Sequence, residues 1–234
     1  DATVTSMSFA NTKTAPIKVS LEANKAYMVD GVDTNLVGNE FTFTLTKSSE
    51  SLPTQTKKND ADGKVSFDEI SFDAAGTYTY TVTETAGSDE TITYDSSVYT
   101  VEIEVVADAT GKLSATKTIK KGTTEVGSMA FKNTKTNPVD VTLEASKTYA
   151  IDGVTQTLKG NEFSFTLTEK GGTDPIQTKY NDVNGKVSFD KISFNKAGTY
   201  SYTVAEKAGT DSTIVYDDTI YTVDIVVSEN NGKL

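Results

Sequence analysis

The sequence predicts an all-β protein made of two tandem β-sandwich domains, the second lacking its own last strand. Three observations lead there. Apolar residues alternate with polar ones over short segments, the period of a half-buried strand, and no stretch carries a helical stripe. The chain repeats itself at a fixed offset of 122 residues (147 − 25). Threonine, β-branched and suited to a half-exposed strand, occurs 39 times in 234 residues.

The repeat can be followed along the chain. Lys18-Val19-Ser20-Leu21-Glu22-Ala23-Asn24-Lys25 returns as Asp140-Val141-Thr142-Leu143-Glu144-Ala145-Ser146-Lys147. Gly38-Asn39-Glu40-Phe41 returns at Gly160, Gly63-Lys64-Val65-Ser66-Phe67-Asp68 at Gly185, and Gly76-Thr77-Tyr78 at Gly198. Near the end the frame slips by one residue, where Gly111-Lys112-Leu113 matches Gly232-Lys233-Leu234. Turn signals such as Asp62-Gly63, Ala75-Gly76, Asn184-Gly185 and Asn231-Gly232 separate the alternating segments. The segment that closes the first copy, Phe131-Lys132-Asn133-Thr134-Lys135-Thr136, has its match at Phe9–Thr14, before that copy begins. The organisation expected is therefore residues 1–14 as the last strand of a preceding repeat, 15–134 as repeat 1, and 135–234 as repeat 2, ending before its closing strand.

Composition excludes several kinds of chemistry. There is no Cys, His or Trp, so no disulfide, thiolate nucleophile or histidine base can operate. The net charge of −11 repels phosphate backbones, which argues against a nucleic-acid partner. No apolar run approaches the roughly 18 residues of a membrane span. Asn59-Asp60-Ala61-Asp62-Gly63 lacks the ligand spacing of a calcium loop and reads as a hairpin turn, so no metal or other cofactor is expected.

Three polar residues interrupt apolar strand faces. Residues i, i+2 and i+4 of a strand share a face. Ile17, Val19, Leu21 and Ala23 lead to Lys25; Tyr78, Tyr80 and Val82 lead to Glu84; Met129 and Phe131 lead to Asn133. The second copy repeats the first two patterns with Lys147 and Glu206, and the upstream segment Met7, Phe9 and Asn11 repeats the third. A strand end emerging into water explains any one of these, since Lys and Glu are almost never buried unpaired. Together they form a reactive set: an amine and a carboxamide can join as an amide and release ammonia. Apolar burial lowers the Lys pKa, freeing the amine lone pair, and raises the Glu pKa, so that a protonated Glu can donate to the amide oxygen. The fold supplies proximity. One turnover consumes the residues, which is autocatalytic maturation and not enzyme activity.

The motifs Leu21-Glu22-Ala23-Asn24-Lys25, Phe41-Thr42-Phe43, Gly63-Lys64-Val65-Ser66-Phe67, Gly76-Thr77-Tyr78-Thr79-Tyr80-Thr81-Val82-Thr83-Glu84, Tyr94-Asp95 and Phe131-Lys132-Asn133 resemble the streptococcal pilin isopeptide linkage domain family. The resemblance covers nearly the whole chain, twice. It implies Ig-like, CnaB-like sandwiches in which Lys25 is the amine, Asn133 the amide and Glu84 the catalytic carboxyl. In the second copy Lys147 and Glu206 match, but no Asn in a match to the Phe131-Lys132-Asn133 motif follows them. The function it implies is that of structural stalk repeats of a cell-surface adhesin in a Gram-positive cell wall. These would act as an extracellular, stiff spacer whose bond carries force from first strand to last. The rival readings are a sortase-polymerised pilus shaft subunit and a glycan- or matrix-binding module. The partners expected are neighbouring repeats of the same protein. A further expectation is donor-strand pairing, in which Met7–Asn11 of one chain fills repeat 2 of another and Lys147 joins Asn11.

Overall fold

A computed structural model of the chain describes residues 13–49 and 54–234. The strand expected at Met7–Asn11, and Asn11 with it, lies outside the described residues. Among those described there is no helix, and so none that could cross a membrane. The chain divides into two compact units, with the division after Lys135.

Unit 1 contains β1 (Ile17–Val19), β2 (Glu22–Val29), β3 (Val32–Asp33), β4 (Thr42–Lys47), β5 (Gln55–Lys58), β6 (Lys64–Ser66) and β7 (Ile70–Phe72). It continues with β8 (Gly76–Thr85), β9 (Ile92–Thr93), β10 (Val98–Ala107), β11 (Leu113–Lys121), β12 (Thr124–Val126) and β13 (Met129–Lys135). One sheet has the order β12-β11-β10-β8-β4-β5; the other has the order β3-β2-β13-β9, with β6 also paired to β2. The alternation read from the sequence sets which side chains meet between them. Leu21, Ala23, Met129 and Phe131 from one layer pack with Phe43, Leu45, Tyr80, Val82, Val101 and Ile103 from the other. Phe131 touches both Phe43 (5.2 Å between ring centroids) and Tyr99 (4.9 Å). Edge-on or tilted contacts of this kind are the favoured geometry for aromatic pairs.

Two features of the topology place the site. β2 and β13 run parallel, with Lys25 opposite Phe131 and Tyr27 opposite Asn133. A parallel pair needs a long connection, and here nearly all of unit 1 lies between the two strands. β8 sits in the middle of the other sheet, with Glu84 opposite Phe43 of β4. The first strand differs from the single run expected from Ile17 to Lys25. It is interrupted at Ser20–Leu21, so that β1 pairs with β7 while β2 pairs with β6 and β13. The alternation continues through the interruption, and Leu21, Ala23 and Lys25 are all buried.

Unit 2 contains β14 (Val139–Val141), β15 (Glu144–Ser146), β16 (Ala150–Ile151), β17 (Val154–Thr155), β18 (Ser164–Glu169), β19 (Gln177–Tyr180), β20 (Lys186–Ser188), β21 (Ile192–Phe194), β22 (Gly198–Lys207) and β23 (Ile220–Val227). Its four-stranded sheet, β19-β18-β22-β23, corresponds to β5-β4-β8-β10. Among the described residues nothing in unit 2 corresponds to β13, nor to β11 and β12. Tyr99, 3% exposed in unit 1, therefore has a counterpart in Tyr221 that is 63% exposed.

Candidate functional site

Lys25, Glu84 and Asn133 come together between the two sheets of unit 1. β2 and β13 supply the amine and the amide from one layer; β8 supplies the carboxyl from the other. Lys25 Nζ donates to Glu84 Oε2 at 2.6 Å, and Asn133 Nδ2 donates to Glu84 Oε1 at 2.5 Å. The side chains of Lys25 and Glu84 are both 0% exposed. One carboxyl group thus bridges the amine and the amide.

Burial controls the electrostatics. Loss of solvent pushes the Lys25 amine below its ordinary value of 10.5, against the opposing pull of its hydrogen bond to Glu84. The same loss of solvent pushes the Glu84 carboxyl above 4.5, although its bonds to Lys25 and Asn133 act the other way. Both directions favour the neutral forms, so a proton passing from Lys25 to Glu84 leaves an amine with a free lone pair.

The amide orientation differs from the sequence expectation. Asn133 Oδ1 accepts the backbone N–H of Asp95 at 2.7 Å, which leaves Nδ2 facing Glu84. The carboxyl therefore addresses the nitrogen that would leave as ammonia, and not the amide oxygen. A carboxyl touching both the attacking and the departing nitrogen can carry a proton from one to the other.

The walls of the site are aromatic. The Phe41 ring lies 4.5 Å from Lys25 Nζ, and the Phe43 ring lies 5.9 Å away. Phe41 is flanked by Tyr27 and Tyr94. Buried Asn59 accepts the Phe41 N–H through Oδ1 at 2.8 Å and donates Nδ2–H to the Asp60 carbonyl at 3.0 Å, so its amide group is committed to structure. Gly63 makes room behind Lys25: a Cβ there would lie 2.2 Å from the Lys25 carbonyl oxygen, and its φ of 81° favours glycine. In the adjoining turn Asp60 Oδ1 accepts the N–H groups of Asp62 and Lys64. The turn is not the hairpin expected, because β5 before it pairs with β4 and β6 after it pairs with β2 in the other sheet. At the start of β13 the Tyr99 hydroxyl donates to the Ala130 carbonyl at 2.6 Å and accepts the Ala130 N–H. The sequence reading gave no role in the site to Phe41, Asp95 or Tyr99, and took Gly63 only as a turn residue. All four recur at the 122-residue offset, as Phe163, Gly185, Asp217 and Tyr221, and that recurrence is the signal that points to them.

Unit 2 brings Lys147 and Glu206 together in the same way. Lys147 Nζ lies 2.8 Å from Glu206 Oε2 and 4.4 Å from the Phe163 ring centroid. Glu206 is 2% exposed and Lys147 13%. Glu206 Oε1, the counterpart of the oxygen that takes Asn133 Nδ2 in unit 1, is buried and has no hydrogen-bond partner among the described residues.

Comparison with known proteins bears on this arrangement. No curated protein matches the chain. Among solved structures, the major pilin from Streptococcus pyogenes is 19% identical, covers 92% of this chain and 95% of its own, and has a TM-score of 0.36. The T-13 major pilin of the same species is 16% identical over 91% and 94%, with a TM-score of 0.38. BcpA, the major pilin subunit of Bacillus cereus, is 10% identical over 92% and 98%, with a TM-score of 0.25. The FctA family model, described as a Spy0128-like isopeptide containing domain, matches residues 21–136 and again 143–234. Each match takes in one unit with its lysine and glutamate, and the chain belongs to that family.

Proposed function

We propose that this chain is part of a structural surface protein of a Gram-positive bacterium, and that unit 1 is stapled by an amide bond between Lys25 Nζ and Asn133 Cγ. The observation that carries this reading is the buried Lys25–Glu84–Asn133 bridge. The reaction balances without a cofactor. The Lys25 amine gives a proton to Glu84 and attacks Asn133 Cγ; Glu84 passes that proton to Nδ2, the Cγ–Nδ2 bond breaks and ammonia leaves; Nζ then gives its second proton to Glu84, which ends protonated beside the new amide. The protein is then not an enzyme, because the first turnover consumes the nucleophile. The bond joins the two parallel strands, β2 near the start of unit 1 and β13 at its end. Tension along the chain would cross a covalent link instead of peeling strands apart, as a spacer in an adhesin stalk or a pilus shaft requires.

Intact-mass spectrometry of the purified chain tests the bond. The expected mass is lower by one ammonia, and Lys25→Ala or Glu84→Ala restores the full value. A wild-type chain at full mass overturns the reading.

The orphaned Glu206 oxygen favours a second reading for unit 2. A strand with the pattern of Met129–Asn133, laid parallel to β15, would bring an Asn amide to that oxygen and to Lys147. The sequence Met7-Ser8-Phe9-Ala10-Asn11 of a second copy carries that pattern. Denaturing gels are expected to show covalent oligomers that Lys147→Ala abolishes; monomer alone overturns this pairing.

A further inference from the structure

The Asp95 loop contributes more to the site than its sequence suggests. β9 pairs antiparallel with β13, Thr93 opposite Thr134. Continued by two residues, that register would set Asp95 opposite Lys132. There the backbone ladder gives way to the Asp95 side chain, whose Oδ2 accepts the Lys132 N–H at 2.7 Å. Its Oδ1 accepts the Ser97 N–H at 2.8 Å. With the carboxylate fixed at both oxygens, the Asp95 backbone N–H turns into the sandwich and meets Asn133 Oδ1 at 2.7 Å. Next to it, Tyr94 is held against Phe41 and over Gly87, where a Cβ would lie 2.4 Å from the Tyr94 hydroxyl.

Unit 2 offers an independent view of the same N–H. There the loop is Tyr216-Asp217, and Asp217 Oδ1 accepts the Thr219 N–H at 2.9 Å. The Asp217 N–H bonds Glu206 Oε2 at 3.0 Å. The donor is thus aimed at the reacting groups where no amide reaches them, so its direction is set by its own loop and not by Asn133.

We propose that the Asp95 backbone N–H stabilises the oxyanion that forms on Asn133 Oδ1 during cross-linking, and that the Asp95 carboxylate is the positioning group that aims it. When Lys25 Nζ attacks Cγ, the carbonyl π electrons move onto Oδ1. A donor already 2.7 Å away in a buried site strengthens its bond to that charge without reorganising. Glu84 serves the two nitrogens and Asp95 serves the oxygen. The inference rests on the Lys25–Asn133 bond proposed above.

The test follows the rate of ammonia loss in the full chain. The protein is made by cell-free translation, quenched in acid at intervals and read by intact mass. Asp95→Ala keeps the N–H but frees the loop, and conversion is expected to slow by roughly 10- to 100-fold, less than the 10²–10³ typical of deleting a donor outright. Asp95→Asn retains a side-chain oxygen for the Ser97 N–H and is expected to recover most of the rate. Urea midpoints of Glu84→Ala with and without Asp95→Ala, neither able to cross-link, are expected to agree closely. Equal rates for wild type and Asp95→Ala overturn the inference. So does a collapse of the midpoint that accounts for the slowing. A wild type that never loses ammonia instead overturns the cross-link itself.

Discussion

Replacing Lys25 and Glu84 together by neutral residues of similar size, Lys25→Met with Glu84→Gln, isolates what the proposed covalent link would contribute. Met fills the volume of the lysine stem, and Gln can still bond Asn133, so the pocket stays occupied and no charge is left buried. What disappears is the cross-link. Lys25 and Asn133 are 133 − 25 = 108 positions apart. Closing a loop of that length removes unfolded-chain entropy worth about 4.7 kcal/mol on the disulfide-type estimate. At about 4 °C per kcal/mol for a domain of this size, the unfolding transition of unit 1 should fall by about 20 °C. Differential scanning calorimetry can read this with an internal control, because the transition of unit 2 should stay where it was. If the wild type has lost its ammonia and the unit 1 transition moves by less than about 5 °C, the loop-entropy argument fails, since that shift corresponds to only about 1 kcal/mol.

The single variant Lys25→Met should show a pH dependence that the double variant lacks. Burial already holds the Glu84 carboxyl above 4.5, and removing Lys25 removes two of the influences that lower it. The folded state then keeps a proton that the unfolded chain releases, so stability is fully present below 4.5 and is lost as pH rises through the folded value. Urea midpoints of unit 1 should therefore fall with rising pH in Lys25→Met and stay level once Glu84→Gln is added; a level profile in both would refute the buried carboxyl. Gly63→Ala should destabilise unit 1 by at least about 1–2 kcal/mol from its left-handed backbone alone. It should also slow ammonia loss, because the new Cβ would press on the Lys25 carbonyl; unchanged values for both would count against the close fit behind Lys25.

The sequence carries the architecture because its physics is local and is written twice. Tyr78, Tyr80 and Val82 alternate with threonines, and that period alone puts Glu84 on the inner face of β8. The same reasoning reaches Lys25 and Asn133, since a polar residue closing an apolar face stands out by its type. What it cannot reach depends on partners far along the chain. That β2 and β13 lie side by side and parallel follows from how the two sheets close, and no alternation pattern encodes a neighbour over a hundred residues away. The interruption of the first strand at Ser20–Leu21 is hidden for the same reason, because the inward face continues across it. The Asp95 donor is a backbone group with no residue type to mark it. Its trace is the pair Tyr94-Asp95, repeated as Tyr216-Asp217 where the alternation stops. The orientation of the Asn133 amide depends on that donor, which is why the sequence alone placed Glu84 at the amide oxygen where the structure places it at the nitrogen.

The two units separate what is built into the sandwich from what the closing strand adds. Lys147 and Glu206 are within hydrogen-bond distance with no strand lying where β13 lies in unit 1. The meeting of amine and carboxyl therefore belongs to the framework that β2, β4 and β8 share with their counterparts. The seal does not. Lys147 is 13% exposed where Lys25 is fully covered, and Tyr221 stands open where Tyr99 is enclosed by Phe131 and bonded to Ala130. Met129 and Phe131, which complete the unit 1 core, stand four and two residues before Asn133 on the same strand face. The segment that brings the amide is thus the one that covers the lysine, and burial is the largest influence moving both Lys25 and Glu84 toward their neutral forms. In the proposed cross-linking, activation and substrate would then arrive in one packing event. A lysine stripped of water before the strand docked would be a free nucleophile for any carbonyl nearby, whereas one stripped by the docking itself faces a single amide.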